Sequence, residues 1–218
     1  MLRSAVLLLM VSLVSGPVAW AGEVTVAVTG RNGKPLAEAV VALIPDSPAA
    51  LWSNAVGPPI AAVVDQRHET FIPLVTLLRQ GGALRFRNSD TTQHHVYSFS
   101  TIKQFQFLLN PGDQSPPVIF DRPGIAAIGC NIHDHMIAYV YAARSPWTAL
   151  SDAGGHVRLD AVPTGPSHLE VWHPGLAGDA KPLTQQVDIG AAPQNVGVVL
   201  DVSTAAMPMH DPHHSMDY

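Results

Sequence analysis

Short apolar runs cut by glycine and proline turns leave this chain little room for helices. Val24, Val26 and Val28 alternate with polar neighbours, the period of a half-buried strand. Arg31-Asn32-Gly33-Lys34 follows, a turn in which Asn-Gly makes positive φ cheap. Ala39 to Ile44 form a second apolar strand that ends at Pro45, and residues 46–60, with Pro48 and Pro58-Pro59, read as an irregular connection. Leu84-Arg85-Phe86-Arg87 alternates into Asn88, and Val96 to Phe99 form another strand. Pro111-Gly112 and Pro123-Gly124 then turn the chain between further strands. Ile137 to Tyr141 is a strand carrying Tyr139 and Tyr141. Asp152-Ala153-Gly154-Gly155 reads as a hairpin turn before Val157 and Leu159. Val162-Pro163-Thr164-Gly165 turns the chain into Leu169, Val171 and Trp172, and Val187, Ile189 and Val196 to Leu200 close the sheet. Leu74 to Leu78 is the one ambiguous run, and Pro73 with Gly81-Gly82 favours short strands or a turn. The expected fold class is all-β.

The two ends read differently. Arg3, the apolar run Ala5 to Val14 and the small-x-small site Ala19-Trp20-Ala21 make residues 1–21 a signal peptide, too short in its apolar part to span a bilayer. Export to the periplasm is expected, with no membrane span after cleavage. Residues 203–218 hold Met207, Met209, His210, His213, His214 and Met216 among Pro and Asp, a disordered tail with potential as a weak metal binder. The formal charge is −5, and no basic stripe exists to hold phosphates, so nucleic acid is excluded as a partner.

The chain has 1 cysteine, so it cannot staple itself with a disulfide in an oxidising compartment. Cys130 stands in Gly129-Cys130-Asn131-Ile132-His133-Asp134-His135-Met136, a Cys-x-x-His-x-x-Met cluster. Upstream, Asn88-Ser89-Asp90-Thr91-Thr92-Gln93-His94-His95-Val96 offers a further imidazole. One thiolate, two imidazoles and one thioether form the ligand set of a blue-copper electron-transfer site. His94 and His95 compete for one position, because adjacent strand residues point to opposite faces. His135 competes in the same way with His133 or Met136, and a solvent-facing loop position is the simpler reading of it.

Phe86-x-Asn88, His94-x-Val96, Pro123-Gly124 and the Cys130 loop make residues 61–143 resemble the cupredoxins, with the short ligand loop of the amicyanin type. Sequences of this layout are often named methylamine utilization proteins. The resemblance implies a Greek-key β-sandwich, one mononuclear type 1-like copper site, and His94, Cys130, His133 and Met136 as its metal ligands. It also implies a redox partner, a dehydrogenase such as methylamine dehydrogenase or a c-type cytochrome. Two positions depart from the family: His95 stands where Asn is usual, and Ala127-Ile128-Gly129 replaces the aromatic residues common before the cysteine.

Val26-Ala27-Val28-Thr29-Gly30, Gly33-Lys34-Pro35-Leu36, Val162-Pro163-x-Gly165 and Leu169-x-Val171-Trp172 resemble the carboxypeptidase regulatory-like, transthyretin-type β-sandwich. On that reading residues 22–60 hold its N-terminal strands and linker, residues 61–143 are inserted, and 144–202 complete it. A single cupredoxin with a C-terminal appendage is the rival division. The functional expectation is an exported copper-binding cupredoxin-like protein that carries single electrons and is not an enzyme. The alternatives are a copper chaperone or store, and a carbohydrate- or partner-binding sandwich with a vestigial copper site. His68-Glu69 lacks the second His of a zinc-protease helix and reads as a polar loop. His156, His168 and His173 are expected on the surface.

Overall fold

The computed structural model describes residues 22–47, 61–176 and 181–202. The expected signal peptide, most of the 46–60 connection and the Met/His-rich tail lie outside the described residues. Among those described there is no helix; the secondary structure is all strand and turn. The strands are β1 (Gly22–Gly30), β2 (Val40–Pro45), β3 (Ala61–Arg67), β4 (Thr70–Ile72), β5 (Val75–Arg79), β6 (Gly82–Asn88), β7 (His94–Ser98) and β8 (Phe105–Leu109). They continue as β9 (Val118–Phe120), β10 (Gly124–Cys130), β11 (Ile137–Ala143), β12 (Thr148–Leu150), β13 (His156–Val162), β14 (Gly165–Trp172), β15 (Leu183–Ile189) and β16 (Gln194–Leu200).

Two pairs of sheets each enclose a core. A five-stranded sheet in the order β5-β11-β10-β7-β8 and a four-stranded sheet β4-β3-β6-β9 use only strands from the middle of the chain. Between them lie Val64, Phe71, Leu84, Phe86, Val96, Phe120, Ile128 and Val140, with Cys130 and Met136 in the same cluster. A three-stranded sheet β13-β1-β16 faces a four-stranded sheet β12-β2-β14-β15, and these draw on the two ends of the chain. The valines of β1 that alternate in sequence (Val24, Val26, Val28) all point into the second core, beside Val41, Leu43, Leu159, Leu169 and Val198.

β2 explains its own composition. All its residues are buried because both of its faces are covered. Val41 and Leu43 enter the second core, while Val40 joins Leu74, Val75, Tyr141, Ala143 and Trp172 in a third cluster. A strand covered on both sides has no polar face, hence the unbroken apolar run. Val75 to Leu78 of the ambiguous run lie in strand β5, which pairs parallel with β11.

Two expectations need correction. The Asp152–Gly155 turn does not join a hairpin, because β12 pairs with β2 while β13 pairs with β1 in the facing sheet. Gly155, at φ 77°, makes the crossing fit: a Cβ there would lie 2.4 Å from the Val28 carbonyl oxygen. His173 is not a surface residue; it is 1% exposed. Its Nε2–H donates to the Ala37 carbonyl at 3.2 Å and its Nδ1 accepts from the Gly175 amide at 2.9 Å, so both ring nitrogens are satisfied without water. Burial pushes its pKa down, which keeps it neutral there.

Candidate metal centre

Strand parity separates the two adjacent histidines. β7 alternates buried and half-buried residues from His94 onward, so His94, Val96 and Ser98 face the core and His95 and Tyr97 face away. His94 is 0% exposed. Cys130 is the last residue of β10, whose neighbour in the sheet is β7, with Cys130 paired to Val96. The chain then turns through residues 131–136 before β11. The Met136 amide donates to the His133 carbonyl at 3.0 Å, closing the turn. The Asn131 amide donates to the His95 carbonyl, also at 3.0 Å. The two ligand segments are therefore tied through backbone, and the departure from Asn at position 95 leaves a tie in place.

This folding brings His94, Cys130 and His133 together, with one donor atom from each lying within 4.8 Å of the others. Cys130 Sγ is 3.7 Å from His94 Nδ1 and 3.9 Å from His133 Nδ1, and the two Nδ1 atoms are 3.2 Å apart. Met136 is 3% exposed, shares the core cluster of Cys130, and lines the same surface pocket. His135 is excluded from the group: its side chain is 65% exposed and its Nε2 faces Glu69 at 3.9 Å.

The far nitrogens of the buried His94 ring and the half-buried His133 ring face carboxylates. His94 Nε2 lies 2.9 Å from Asp90 Oδ2, and His133 Nε2 lies 3.4 Å from Glu69 Oε1. A carboxylate accepts, so the His94 ring donates from Nε2 to Asp90 and turns its Nδ1 towards Cys130 and His133. The two Nδ1 atoms lie 3.2 Å apart beside a buried thiol, so a cation placed among them would be within reach of all three donors. The donor set suits a soft, borderline metal such as copper, because thiolate and thioether hold Cu(I) and imidazole suits both oxidation states. The residues present fit the metal.

Asp90 is itself anchored. The amides of Glu69, at 3.0 Å, and His68 donate to its carboxylate. Its own amide donates to Asn88 Oδ1 at 2.9 Å, while Asn88 Nδ2 donates to the carbonyls of Thr92 and Leu109. Burial pushes the Asp90 carboxyl upward, but hydrogen bonds from the Glu69 amide, His94 and the His68 amide outweigh it and leave the pKa below the ordinary value. His68 and Glu69 form the tight turn between β3 and β4, both in the left-handed region at φ 50° and 54°. The polar loop expected there is a turn that reaches the metal centre. Neither Asp90 nor Glu69 was visible as a site residue in the sequence. Asp90 lies within the His94 segment and carried a faint signal; Glu69 carried none, since only packing of the β3–β4 turn places it beside His133.

Beside the centre, the pocket is lined by Tyr97, Phe99, Gly129, Cys130, Met136 and Ile137. Phe99 stands 72% exposed at its rim, with its ring 5.0 Å from that of Tyr97.

No protein-family model and no curated protein matches this sequence. Among solved structures, the chain is similar to a purple cupredoxin from Nitrosopumilus maritimus, at 20% identity and a TM-score of 0.34 over 38% of this chain and 100% of that one. It is also similar to amicyanin from Paracoccus versutus, at 18% identity and a TM-score of 0.36 over 47% of this chain and 97% of that one. A copper-containing nitrite reductase from Thermus scotoductus aligns at 22% identity and a TM-score of 0.37, over 46% of this chain and 27% of the reductase.

Proposed function

We propose that this protein is an exported, periplasmic one-electron carrier that holds one copper ion on His94, Cys130, His133 and Met136. The observation that carries the proposal is the convergence of a buried thiol with two imidazole nitrogens, one donor atom from each lying within 4.8 Å of the others. Copper bound there would supply a reversible one-electron couple. The chain's own residues do the rest. Cys130 offers a thiolate, which bound metal would keep deprotonated. Strands β7 and β10 hold His94 and Cys130 on a rigid sheet, which limits rearrangement when the charge changes. Met136 offers a weak sulfur from the closing turn. In this reading Cys130 and His94 serve as metal ligands, and the role is transfer rather than catalysis. Its partner would be a redox protein, a dehydrogenase or a c-type cytochrome, docking near the pocket rimmed by Phe99.

Metal analysis and a visible spectrum test the proposal. The purified protein should take up one equivalent of copper, show intense colour when oxidised, and bleach reversibly with dithionite. Cys130→Ser replaces a soft charge-transferring ligand with a hard hydroxyl, so the colour should vanish even where some copper still binds. Stoichiometric copper with no Cys130-dependent colour would refute the carrier role and point to copper handling. Absence of bound metal would refute both.

A further inference from the structure

We infer that Asp90 is a positioning residue that sets both the orientation and the charge of the metal centre, acting on His94 directly and on His133 through the β3–β4 turn. The inference rests on the copper reading given above. Its basis is that one carboxylate, with its side chain only 11% exposed, gathers three donors: His94 Nε2, the Glu69 amide and the His68 amide.

The first consequence concerns His94. This ring is fully buried, so its Nε2–H needs an acceptor inside the protein, and Asp90 Oδ2 at 2.9 Å supplies it. A neutral carbonyl would orient the ring as well. A carboxylate adds a fixed negative charge one imidazole away from the metal and makes that imidazole a stronger donor. Both effects stabilise the doubly charged metal more than the singly charged one, so Asp90 should lower the reduction potential.

The second consequence concerns His133. The β3–β4 turn places two non-glycine residues, His68 and Glu69, in left-handed backbone, a conformation that needs outside support. Asp90 gives that support by accepting both amides. The side chain so positioned, Glu69, puts its carboxylate 3.4 Å from His133 Nε2. Asparagine cannot replace Asp90 fully, because one of its two head atoms is a donor and would face an amide or the imidazole N–H.

The test uses the full chain with Asp90→Asn, and Asp121→Asn as a control that removes one exposed charge elsewhere. Asp90→Asn should shift the balance of Cu(I) over Cu(II) affinity about tenfold towards Cu(I), a rise of about 59 mV for a one-electron couple. It should also weaken Zn(II) binding, measured by chelator competition, by roughly 10- to 100-fold. In the metal-free protein, nitrogen NMR should find the His94 proton on Nε2 in wild type. Asp121→Asn should move none of these. A wild-type potential and zinc affinity in folded Asp90→Asn would overturn the inference, as would an equal shift in Asp121→Asn. A wild type that takes up copper without colour would overturn the carrier reading alone, while the zinc and NMR measurements would still decide the role of Asp90.

Discussion

Tyr97 lies so close to Gly129 across the β7–β10 pair that a Cβ on the glycine would sit 2.8 Å from both Cζ and Oη of the tyrosine. The residue before Cys130 is therefore small because a neighbouring strand fills the space. Ala127-Ile128-Gly129 offers no aromatic ring before the cysteine, and the ring beside Gly129 is that of Tyr97 on β7. Gly129→Ala should displace the half-buried Tyr97 ring and destabilise the protein by about 1–3 kcal/mol, the range for overpacking. Adding Tyr97→Leu should recover most of the loss. Urea unfolding of the two single variants and the double variant measures this; additive effects would show that the contact is not the cause.

Much of this architecture was legible because it depends on local period. The alternating valines of β1, the unbroken run of β2 and the parity of His94 against His95 all follow from a strand's two-residue repeat. The compact Cys130–Met136 turn was legible for another local reason, since a short loop brings its own members together. What was hidden depends on pairing between distant segments. The Asp152–Gly155 turn resembles a hairpin until the partners of β12 and β13 are known, and His173 looks solvent-exposed until Ala37 is seen to accept its proton. Glu69 meets His133 through packing that no spacing rule encodes.

His95→Ala and His135→Ala should leave the metal site nearly unchanged. The His95 side chain faces away from the core, and only its backbone carbonyl ties the Asn131 amide. The His135 ring is exposed and meets the centre only at its edge, 3.9 Å from Glu69 and with its ring 6.3 Å from that of His133. His94→Ala and His133→Ala should each weaken copper binding strongly and alter the spectrum. A colourless His135→Ala protein would mean that the loop ligands are assigned to the wrong residues.

Asp65 should make the fold sensitive to acid. Burial pushes its carboxyl up, yet hydrogen bonds from Arg87, Ser89 and Arg67, with contacts down to 2.7 Å, pull its pKa to about 2 from the model-compound 3.8. A depressed carboxyl stabilises the fold fully above the unfolded value, and the contribution is lost as pH falls from 3.8 through about 2. Its size is about 1–2 kcal/mol, after allowing for the half-exposed arginines. Asp65→Asn should lower stability at neutral pH and narrow its difference from wild type across that acid window. Unfolding curves of both proteins at neutral and acid pH check this, and a constant difference would disprove it.

Trp172 should hold the two cores together. It is 5% exposed, and its ring lies 5.3 Å from Tyr139 and 6.3 Å from Tyr141. Its cluster takes Val40 from β2, Leu74 just before β5, Val75 from β5, and Tyr141 and Ala143 from β11, so it joins both pairs of sheets. Trp172→Ala should cost about 3–5 kcal/mol, the range for removing a large buried aromatic side chain. The loss should also split thermal unfolding into two transitions, because the strands on either side no longer share a packed surface. Tyr141 provides an independent readout. Burial first, and then the Glu170 charge, raises its pKa to about 12. Opening the cluster to water removes the larger of these causes, so alkaline titration followed by tyrosinate absorbance should show the Tyr141 pKa falling towards the ordinary 10.0. If Trp172→Ala unfolds in one transition with Tyr141 still near 12, the cluster does not join the cores.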